Sequence, residues 1–344
     1  MDKYPRLSLR LHGGLTPQQC VAQARAAEET GLHGVWFAEN SFNRGILPAA
    51  AACAVATRTI KIAPGVFNPY NRHPTLIAME IGALDELAQG RVRLGIGSGI
   101  AVAVERMGFA NGRPLTTLRE AVIIVRALLR GEEVSHAGAA FQINKVRLEY
   151  RARADIPIFM AGRGERSLRA CGELADGLIV SNMCTVVFAA GAVQKLQTAA
   201  RAAGRAEPLD VVQYVACFPG ADRDEAQRLA RNAVADMLPG YWRLGQRLPA
   251  ARAALLSGSG ISEADFAGAV GRLAAGERAE TALDERFVAA FTLAGNAEDC
   301  RRQAAAYAQA GVSELALTFS GPDAAAEMRF LVDSLSPLAG RGSG

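Results

Sequence analysis

The sequence is poor in the residues that mark metal-binding, disulfide-rich and membrane-spanning proteins. Its 344 residues include six cysteines and four histidines, but no C-x-x-C pair and no two histidines four residues apart, so we expect no metal site. The apolar stretch from Ile46 to Thr57 is interrupted by Pro48, whereas a membrane helix needs about 20 apolar residues. The amino terminus has no apolar leader core, so we expect a cytoplasmic protein with reduced thiols and no membrane partner.

The charge is also close to balanced. There are 38 Lys and Arg against 34 Asp and Glu, a net charge of +4 that is spread along the chain. A nucleic-acid arm would require a basic block, so we expect a small-molecule substrate and no nucleic-acid partner. Half of the residues are hydrophobic and the mean hydropathy is +0.10, which excludes a mainly disordered or fibrous chain.

Strand-like segments alternate with longer helical segments rich in Ala and Leu. The predicted strands cover residues 6–11, 35–38, 60–66, 92–96, 156–161, 177–180, 209–217 and 315–319. The predicted helices between them include residues 16–31, 47–56, 74–87, 117–129, 165–174 and 186–203. This alternation is typical of βαβ units with a parallel sheet, and eight such units predict an α/β fold of the TIM-barrel type, (β/α)8.

A bare barrel takes about 250 residues, so the chain is longer than the barrel alone requires. We predict one barrel over residues 1–339 with insertions at about 132–153 and 240–292, the second adding helical segments after the seventh strand. A strand-like stretch from Phe141 to Leu148 lies in the first insertion. The glycine-rich residues 340–344 are expected to form a flexible tail.

Barrel enzymes bind their ligands at the carboxyl ends of the strands, so the loops after the strands hold the candidate site residues. These are Glu39, Gly65, Val66, Asn68, Gly97, Ser98, Gly99, Ala161, Gly162, Arg163, Gly164, Ser181 and Asn182. The glycines from Gly95 to Gly99 do not form the dinucleotide motif G-x-G-x-x-G, because Ile100 stands at its last position. They would let a flat ring approach the backbone, or they form a plain turn.

Other candidates also admit two interpretations. Arg163, before a predicted helix, is placed to bind phosphate, although a solvated helix start would look the same. Ser181 and Asn182 would contact a ligand or cap the next helix. Glu39 follows Trp36 and Phe37 and would act as an acid or base if desolvated; alternatively it pairs with Arg44 or caps a helix.

Longer stretches of the chain resemble the luciferase-like flavin and deazaflavin oxidoreductases, most closely the coenzyme F420-dependent methylenetetrahydromethanopterin reductases. The matching stretches are GLHGVWFAEN (31–40), TIKIAPGVFNPYNRHP (59–74), ALDELAQGRVRLGIGSG (83–99), IPIFMAGRGERSLRACGELADGLIVSN (156–182) and AGVSELALTFSGP (310–322). The resemblance implies a luciferase-like barrel with coenzyme F420, or alternatively FMN, at its mouth. It also implies a non-prolyl cis peptide at Gly65-Val66 and a homodimer, which the small residues of the second and third predicted helices favour.

The resemblance also distributes roles among the candidates. Gly97, Ser98 and Gly99 would contact the ring or its tail. Residues 161–164 with Ser181 and Asn182 would follow the ribityl-phosphate side. Glu39 matches an acidic residue near the ring and is our candidate for general acid or base, with His12 as the alternative.

Three positions depart from the pattern of the methanopterin reductases. Arg10 and Ile100 stand where those reductases are acidic, and Asn40 stands where histidine is common. The leading hypothesis is an F420-dependent oxidoreductase of a small substrate, such as a methylene-tetrahydropterin of one-carbon metabolism. The alternatives are an FMN-dependent luciferase-like monooxygenase and a flavin- or deazaflavin-binding protein without turnover. The two insertions, where the resemblance fades, are the expected place of substrate choice.

Overall fold

Strands and helices alternate along the chain as the periodicity predicts. The computed structural model of the protein describes residues 3–110 and 112–336, so the predicted tail at 340–344 lies outside the described residues. The strands are β1 (Arg6–His12), β2 (Gly34–Ala38), β3 (Lys61–Pro64), β4 (Leu94–Ile96), β5 (Val134–Ala137), β6 (Gln142–Val146), β7 (Ile158–Ala161), β8 (Gly177–Val180), β9 (Asp210–Pro219), β10 (Thr292–Gly295) and β11 (Glu314–Phe319).

The helices lie mainly between consecutive strands. They are α1 (Pro17–Glu29), α2 (Ile46–Ala56), α3 (Pro74–Leu87), α4 (Ala101–Arg106), α5 (Pro114–Leu129), α6 (Glu165–Leu174), α7 (Val186–Ala202), α8 (Arg223–Arg247), α9 (Pro249–Leu256), α10 (Glu263–Ala274), α11 (Ala279–Ala282), α12 (Glu285–Phe291), α13 (Ala297–Gln309) and α14 (Ala324–Leu335). Local signals explain several starts: Thr16 and Gln19 form a capping box around α1, whose first residue is Pro17.

Eight parallel strands close into a barrel. Their order is β3-β2-β1-β11-β9-β8-β7-β4, and the bridges Ile62↔Val92 and Phe67↔Ile96 join the two ends of this order. Each of the eight predicted strands coincides with one of these, so the predicted (β/α)8 TIM barrel is confirmed. All carboxyl ends therefore open on one rim, which we call the mouth.

Alternation along each strand divides the apolar side chains between two cores. On β2, Val35 and Phe37 pack in the outer core between strands and helices, while Trp36 points into the barrel. There it packs with Phe159 of β7, at 5.4 Å between ring centroids, and Tyr214 of β9, at 6.1 Å. Side chains rather than open space thus fill the barrel below the mouth.

A buried ion pair lies inside the barrel at the amino-terminal end of the strands. Glu314, the first residue of β11, has no exposed surface. Its carboxylate accepts hydrogen bonds from Ser8 Oγ, Trp36 Nε1 and Arg93 Nη1, each at 2.7 Å. The Arg93 guanidinium also stacks 4.5 Å from the centroid of Phe159. One carboxylate therefore joins β1, β2 and β11 to the residue that precedes β4.

The surplus residues form two additions to the barrel. β5 and β6 pair as an antiparallel hairpin within residues 132–153. Near the second predicted insertion, α8 begins at Arg223 and runs through Gly240 to Arg247, so the helix crosses the boundary that the sequence predicts. α8 to α12 share a core of their own that includes Phe266 and Phe287. β10, which the sequence does not predict, extends the sheet beside β9.

Across residues 3–110 and 112–336, none of the helices is both long enough and apolar enough to cross a membrane.

Candidate active site

Small side chains form a platform at the mouth beside the ends of β3, β4 and β7. Val66 lies over Gly95 and Gly97: a Cβ built on Gly97 would be 2.9 Å from Val66 Cγ2 and 3.3 Å from Ala161 Cβ. The Gly65-Val66 peptide bond is cis, which confirms that prediction. We call Val66, Gly97 and Ala161 the platform; it is apolar and lacks a side chain that would block a flat ring.

The loops after β3 and β4 pack closely against each other beside the platform. Asn68 is buried, and its Oδ1 accepts a hydrogen bond from the backbone N–H of Tyr70 at 2.9 Å. Gly99 has a φ of +72°, and a side chain there would collide with the Asn68 amide. Asn68 therefore fixes the turn of its own loop and lies directly against Gly99 of the neighbouring loop. Ser98 lies between Gly97 and Gly99 and is half-buried.

The loops after β7 and β8 bring Arg163, Ser181 and Asn182 together. Arg163 Nη2 donates to the Asn182 carbonyl oxygen at 2.9 Å, and its guanidinium lies 5.2 Å from the ring centroid of Tyr241. The Tyr241 hydroxyl is 3.4 Å from Ser181 Oγ. Arg163 Nε and Asn182 Oδ1 are buried without a hydrogen-bond partner. Gly162 and Gly164 flank Arg163 ahead of α6, so this corner presents an arginine and an amide with unused hydrogen-bonding capacity.

Tyr241 belongs to this corner although the sequence does not indicate it. It lies in α8, two residues after Pro239 and outside the stretches that follow barrel strands. A single tyrosine in a helical insertion carries no local signal of a ligand. Only the packing of α8 against the mouth places it there.

Glu39 stands at the mouth but its partner differs from the one expected. Arg72 Nη1 donates to Glu39 Oε1 at 3.0 Å and to Oε2 at 3.2 Å, and Arg72 Nε lies 2.8 Å from Glu80 Oε2. The expected partner, Arg44, instead donates to the Gly14 carbonyl oxygen at 3.0 Å. The alternative that Glu39 pairs with Arg44 is therefore wrong, because the loop after β3 brings Arg72 closer.

His12 ends β1 on the same rim. Its Nδ1 accepts a hydrogen bond from the Gly14 backbone N–H at 3.1 Å. Burial and the nearby charge of Arg10 lower the pKa of His12 below its usual value, so the ring is neutral at pH 7. With Nδ1 as acceptor, the assigned tautomer carries its proton on Nε2.

Arg10 lies one inward position below His12 on β1. Its Nη1 donates to Thr318 Oγ1 at 3.1 Å, and its guanidinium is 4.7 Å from the centroid of the Tyr214 ring. Burial lowers the pKa of Arg10, and the two tyrosines Tyr214 and Tyr241 oppose that shift. Arginine nevertheless remains charged in proteins, because its ordinary pKa lies far above neutral pH.

The other departures from the reductase pattern have different surroundings. Asn40 Oδ1 accepts from the Gly13 backbone N–H at 3.3 Å and so joins the loops after β1 and β2. Ile100 is 64% exposed at the rim.

Within the part of the chain that the structure describes, no three His, Cys, Asp or Glu side chains are grouped as a metal site.

The fold and this geometry define a barrel enzyme whose mouth has an apolar platform on one side and a cationic corner beside it. A sequence profile of the family described as Luciferase-like monooxygenase matches residues 5–314. The chain belongs to this luciferase-like family.

Individual relatives agree with that assignment. The chain is 31% identical over 299 residues to the 5,10-methylenetetrahydromethanopterin reductase of Methanolobus tindarius, covering 85% of this chain and 87% of that protein. It is 28% identical over 178 residues to the F420-dependent glucose-6-phosphate dehydrogenase of Beutenbergia cavernae, covering 48% of this chain and 53% of that one. In fold it is similar to the coenzyme F420-dependent tetrahydromethanopterin reductase of Methanopyrus kandleri, with a TM-score of 0.85, 24% identity, and coverage of 96% and 98% of the two chains.

Proposed function

We propose that this chain is a coenzyme F420-dependent oxidoreductase that transfers hydride between the deazaflavin and a small organic substrate. The observation that carries the proposal is the platform of Val66, Gly97 and Ala161 beside the cationic corner at Arg163, in a chain whose relatives include reductases and dehydrogenases named for F420. A flat ring needs the first feature and a phosphate-bearing tail needs the second.

The residues present fit a phosphate-bearing deazaflavin. Arg163 Nε and Asn182 Oδ1 are buried polar atoms without partners, and such atoms are costly unless a ligand or water satisfies them. We assign the ring side to Glu39, Gly65, Val66, Asn68, Gly97, Ser98 and Gly99. We assign the ribityl-phosphate side to Ala161, Gly162, Arg163, Gly164, Ser181 and Asn182.

When bound, the deazaflavin supplies the redox chemistry, because its C5 carbon accepts or donates the hydride. The protein's task is to hold the two reacting molecules together and to exclude water. A proton must also move where the substrate gains or loses charge. His12 is the candidate with a proton held at a defined atom, Nε2, on a neutral ring; Glu39 remains the second candidate because its carboxylate also borders the mouth.

Titration with the two candidate cofactors tests the proposal. Wild-type protein is expected to bind F420 and to bind FMN weakly, as measured by the change in cofactor absorbance or fluorescence. Arg163→Gln removes one charged donor, so F420 affinity is expected to fall by about tenfold or more.

Lys195 lies in α7 and is exposed, so Lys195→Gln serves as a control that loses the same charge away from the mouth; its F420 affinity should stay unchanged. Tight FMN binding without F420 binding would favour the luciferase-like monooxygenase. Binding of F420 without turnover of any candidate hydride donor or acceptor would favour the binding protein.

The same proposal includes a homodimer in the cytoplasm. α2 and α3 expose Val55, Leu76, Met79 and Leu87, which are 40–68% accessible, and a second copy would cover this apolar face. The six cysteines all lie among the described residues and are free and buried, which suits a reducing compartment.

Light scattering tests the homodimer and should give about twice the chain mass of 36.2 kDa. Met79→Glu should lower the measured mass to that of one chain. A monomeric wild type would contradict the dimer.

A further inference from the structure

The mouth has two halves that differ in chemistry. In the barrel order β3-β2-β1-β11-β9-β8-β7-β4, the platform and the Arg163 corner occupy the run β8-β7-β4-β3. The opposite run, β1-β11-β9, carries Arg10, Thr318 and Tyr214 on three successive strands. If the cofactor takes the first half, as proposed above, the second half faces the substrate.

Arg10 differs from Arg93, which also lies inside the barrel. Arg93 lies 2.7 Å from the Glu314 carboxylate, whereas the only side-chain acceptor in contact with Arg10 among the described residues is the neutral Thr318 hydroxyl. Its Nε is buried and makes no hydrogen bond, and the nearby Tyr214 hydroxyl is likewise buried without a partner. The half that faces the substrate therefore combines one positive charge with two unused donors.

We propose that this half of the mouth binds a carboxylate of the substrate, with Arg10 as the charged donor and Tyr214 and Thr318 as hydroxyl donors. This inference rests on the proposed function for its division of the mouth. A buried charge without a counterion is costly, and an anionic ligand supplies the counterion. The guanidinium matches a planar carboxylate through paired N–H donors.

The number of charges favours a carboxylate over a phosphate ester. Of these three residues Arg10 carries the formal positive charge, since Thr318 and Tyr214 are neutral. One guanidinium balances the single charge of a carboxylate but only part of the charge of a phosphate, which is about −1.5 to −2 at pH 7. Arg163 also lies at the mouth, but on the half assigned to the cofactor.

Thermal unfolding of the unloaded protein tests carboxylate binding independently of the cofactor. Benzoate and crotonate are used as probes, with benzamide and crotonamide as neutral counterparts and sodium chloride at equal ionic strength. The carboxylates are expected to raise the melting temperature of the wild type while the amides do not. Arg10→Gln should abolish this shift, and Arg10→Lys, which keeps the charge but not the paired donors, should retain part of it.

Arg163→Gln is the matched control for arginine removal at the mouth. It should keep the carboxylate-dependent shift while losing F420 affinity, whereas Arg10→Gln should lose the shift and bind F420 within about threefold of the wild type. Equal stabilisation by acids and amides, or no shift with either acid, would contradict the proposal. A loss of F420 affinity in Arg10→Gln equal to that in Arg163→Gln would place Arg10 on the cofactor instead.

Turnover supplies a second readout. Unsaturated acids are compared with their methyl esters as acceptors from reduced F420. Arg10→Gln is expected to raise KM for the acids by about tenfold or more and to leave KM for the esters nearly unchanged. A wild type that prefers the esters would overturn the inference. If the wild type fails to bind F420, the proposed function fails, while the thermal test of the carboxylate site still gives its own answer.

Discussion

Replacing Glu314 by glutamine is expected to destabilise the protein by about 3 to 5 kcal/mol, the usual cost of removing one partner of a buried ion pair. Glu314 has no exposed surface and accepts three hydrogen bonds of 2.7 Å. Glutamine keeps the shape but leaves the charge of Arg93, which is 5% exposed, without its close counterion. Chemical unfolding monitored by circular dichroism measures the change.

The surface pair of Glu225 and Arg228 provides the control. Both side chains are 47% exposed, with Arg228 Nη2 2.7 Å from Glu225 Oε1, so Glu225→Gln should cost far less stability because solvent screens an exposed pair. Equal losses of unfolding free energy in Glu314→Gln and Glu225→Gln would contradict the importance of burial. Ser8→Ala, which removes one donor to Glu314, gives a milder second variant with an expected cost of about 1 kcal/mol.

The effect of Glu314 should also depend on pH. Burial alone would raise the pKa of Glu314, but the charge of Arg93 and the hydrogen bonds from Trp36 and Ser8 outweigh it and lower the pKa. The folded state then binds fewer protons than the unfolded state near the ordinary carboxyl pKa of about 4.3. The stabilisation by Glu314 is therefore complete above that pH and is lost as the pH falls through the lower pKa of the folded state. The difference in free energy of unfolding between the wild type and Glu314→Gln should accordingly become smaller in acid.

Replacing Gly97 by valine is expected to weaken F420 binding by about 10- to 100-fold, because forcing extra carbon atoms into a packed site costs about 1 to 3 kcal/mol. A Cβ at position 97 would lie 2.9 Å from Val66 Cγ2 and 3.3 Å from Ala161 Cβ. The new side chain would therefore displace the platform on which the ring is proposed to lie. Cofactor titration measures the affinity, and Gly97→Ala should show a smaller loss.

Gly191 in α7 is the matched control, because a Cβ built there meets no atom within 4 Å. Gly191→Val should therefore retain F420 affinity. Circular dichroism and the melting temperature check that each variant is folded. Unchanged affinity in Gly97→Val would remove the platform from the cofactor site, and an equal loss in both variants would point to a general effect on the fold.

The barrel could be predicted from the sequence because its signals are local. A strand such as residues 177–180, GLIV, is apolar throughout, as expected for a strand covered on both faces. Pro74 begins its helix at the predicted position, and Pro17 begins the first helix directly after its cap, Thr16. At the end of the second predicted insertion, β10 escaped prediction because its four residues, TLAG, follow directly after a helix and become a strand only by pairing with β9.

The predicted loops of the site do lie around one mouth, but their partners depend on contacts between distant residues. Arg72 rather than Arg44 binds Glu39, because the loop after β3 brings Arg72, 33 positions further along the chain, next to it. Arg10 could be recognised in the sequence as a departure from the reductase pattern. Its neighbour is a hydroxyl rather than a carboxylate because Thr318 of β11, 308 residues further along the chain, lies beside it.

Helix α8 carries two adjacent aromatic residues with different surroundings. The Trp242 ring stacks on Phe266 inside the inserted helices, with 5.3 Å between centroids and 3° between planes, while Tyr241 contacts Ser181 and Arg163 at the mouth. One residue of α8 is therefore fixed by the inserted helices while its neighbour contacts the cationic corner, so a change in the packing of those helices would move Tyr241 without altering a barrel strand. Ligand preference in such a barrel can thus be adjusted by residues that never contact the ligand.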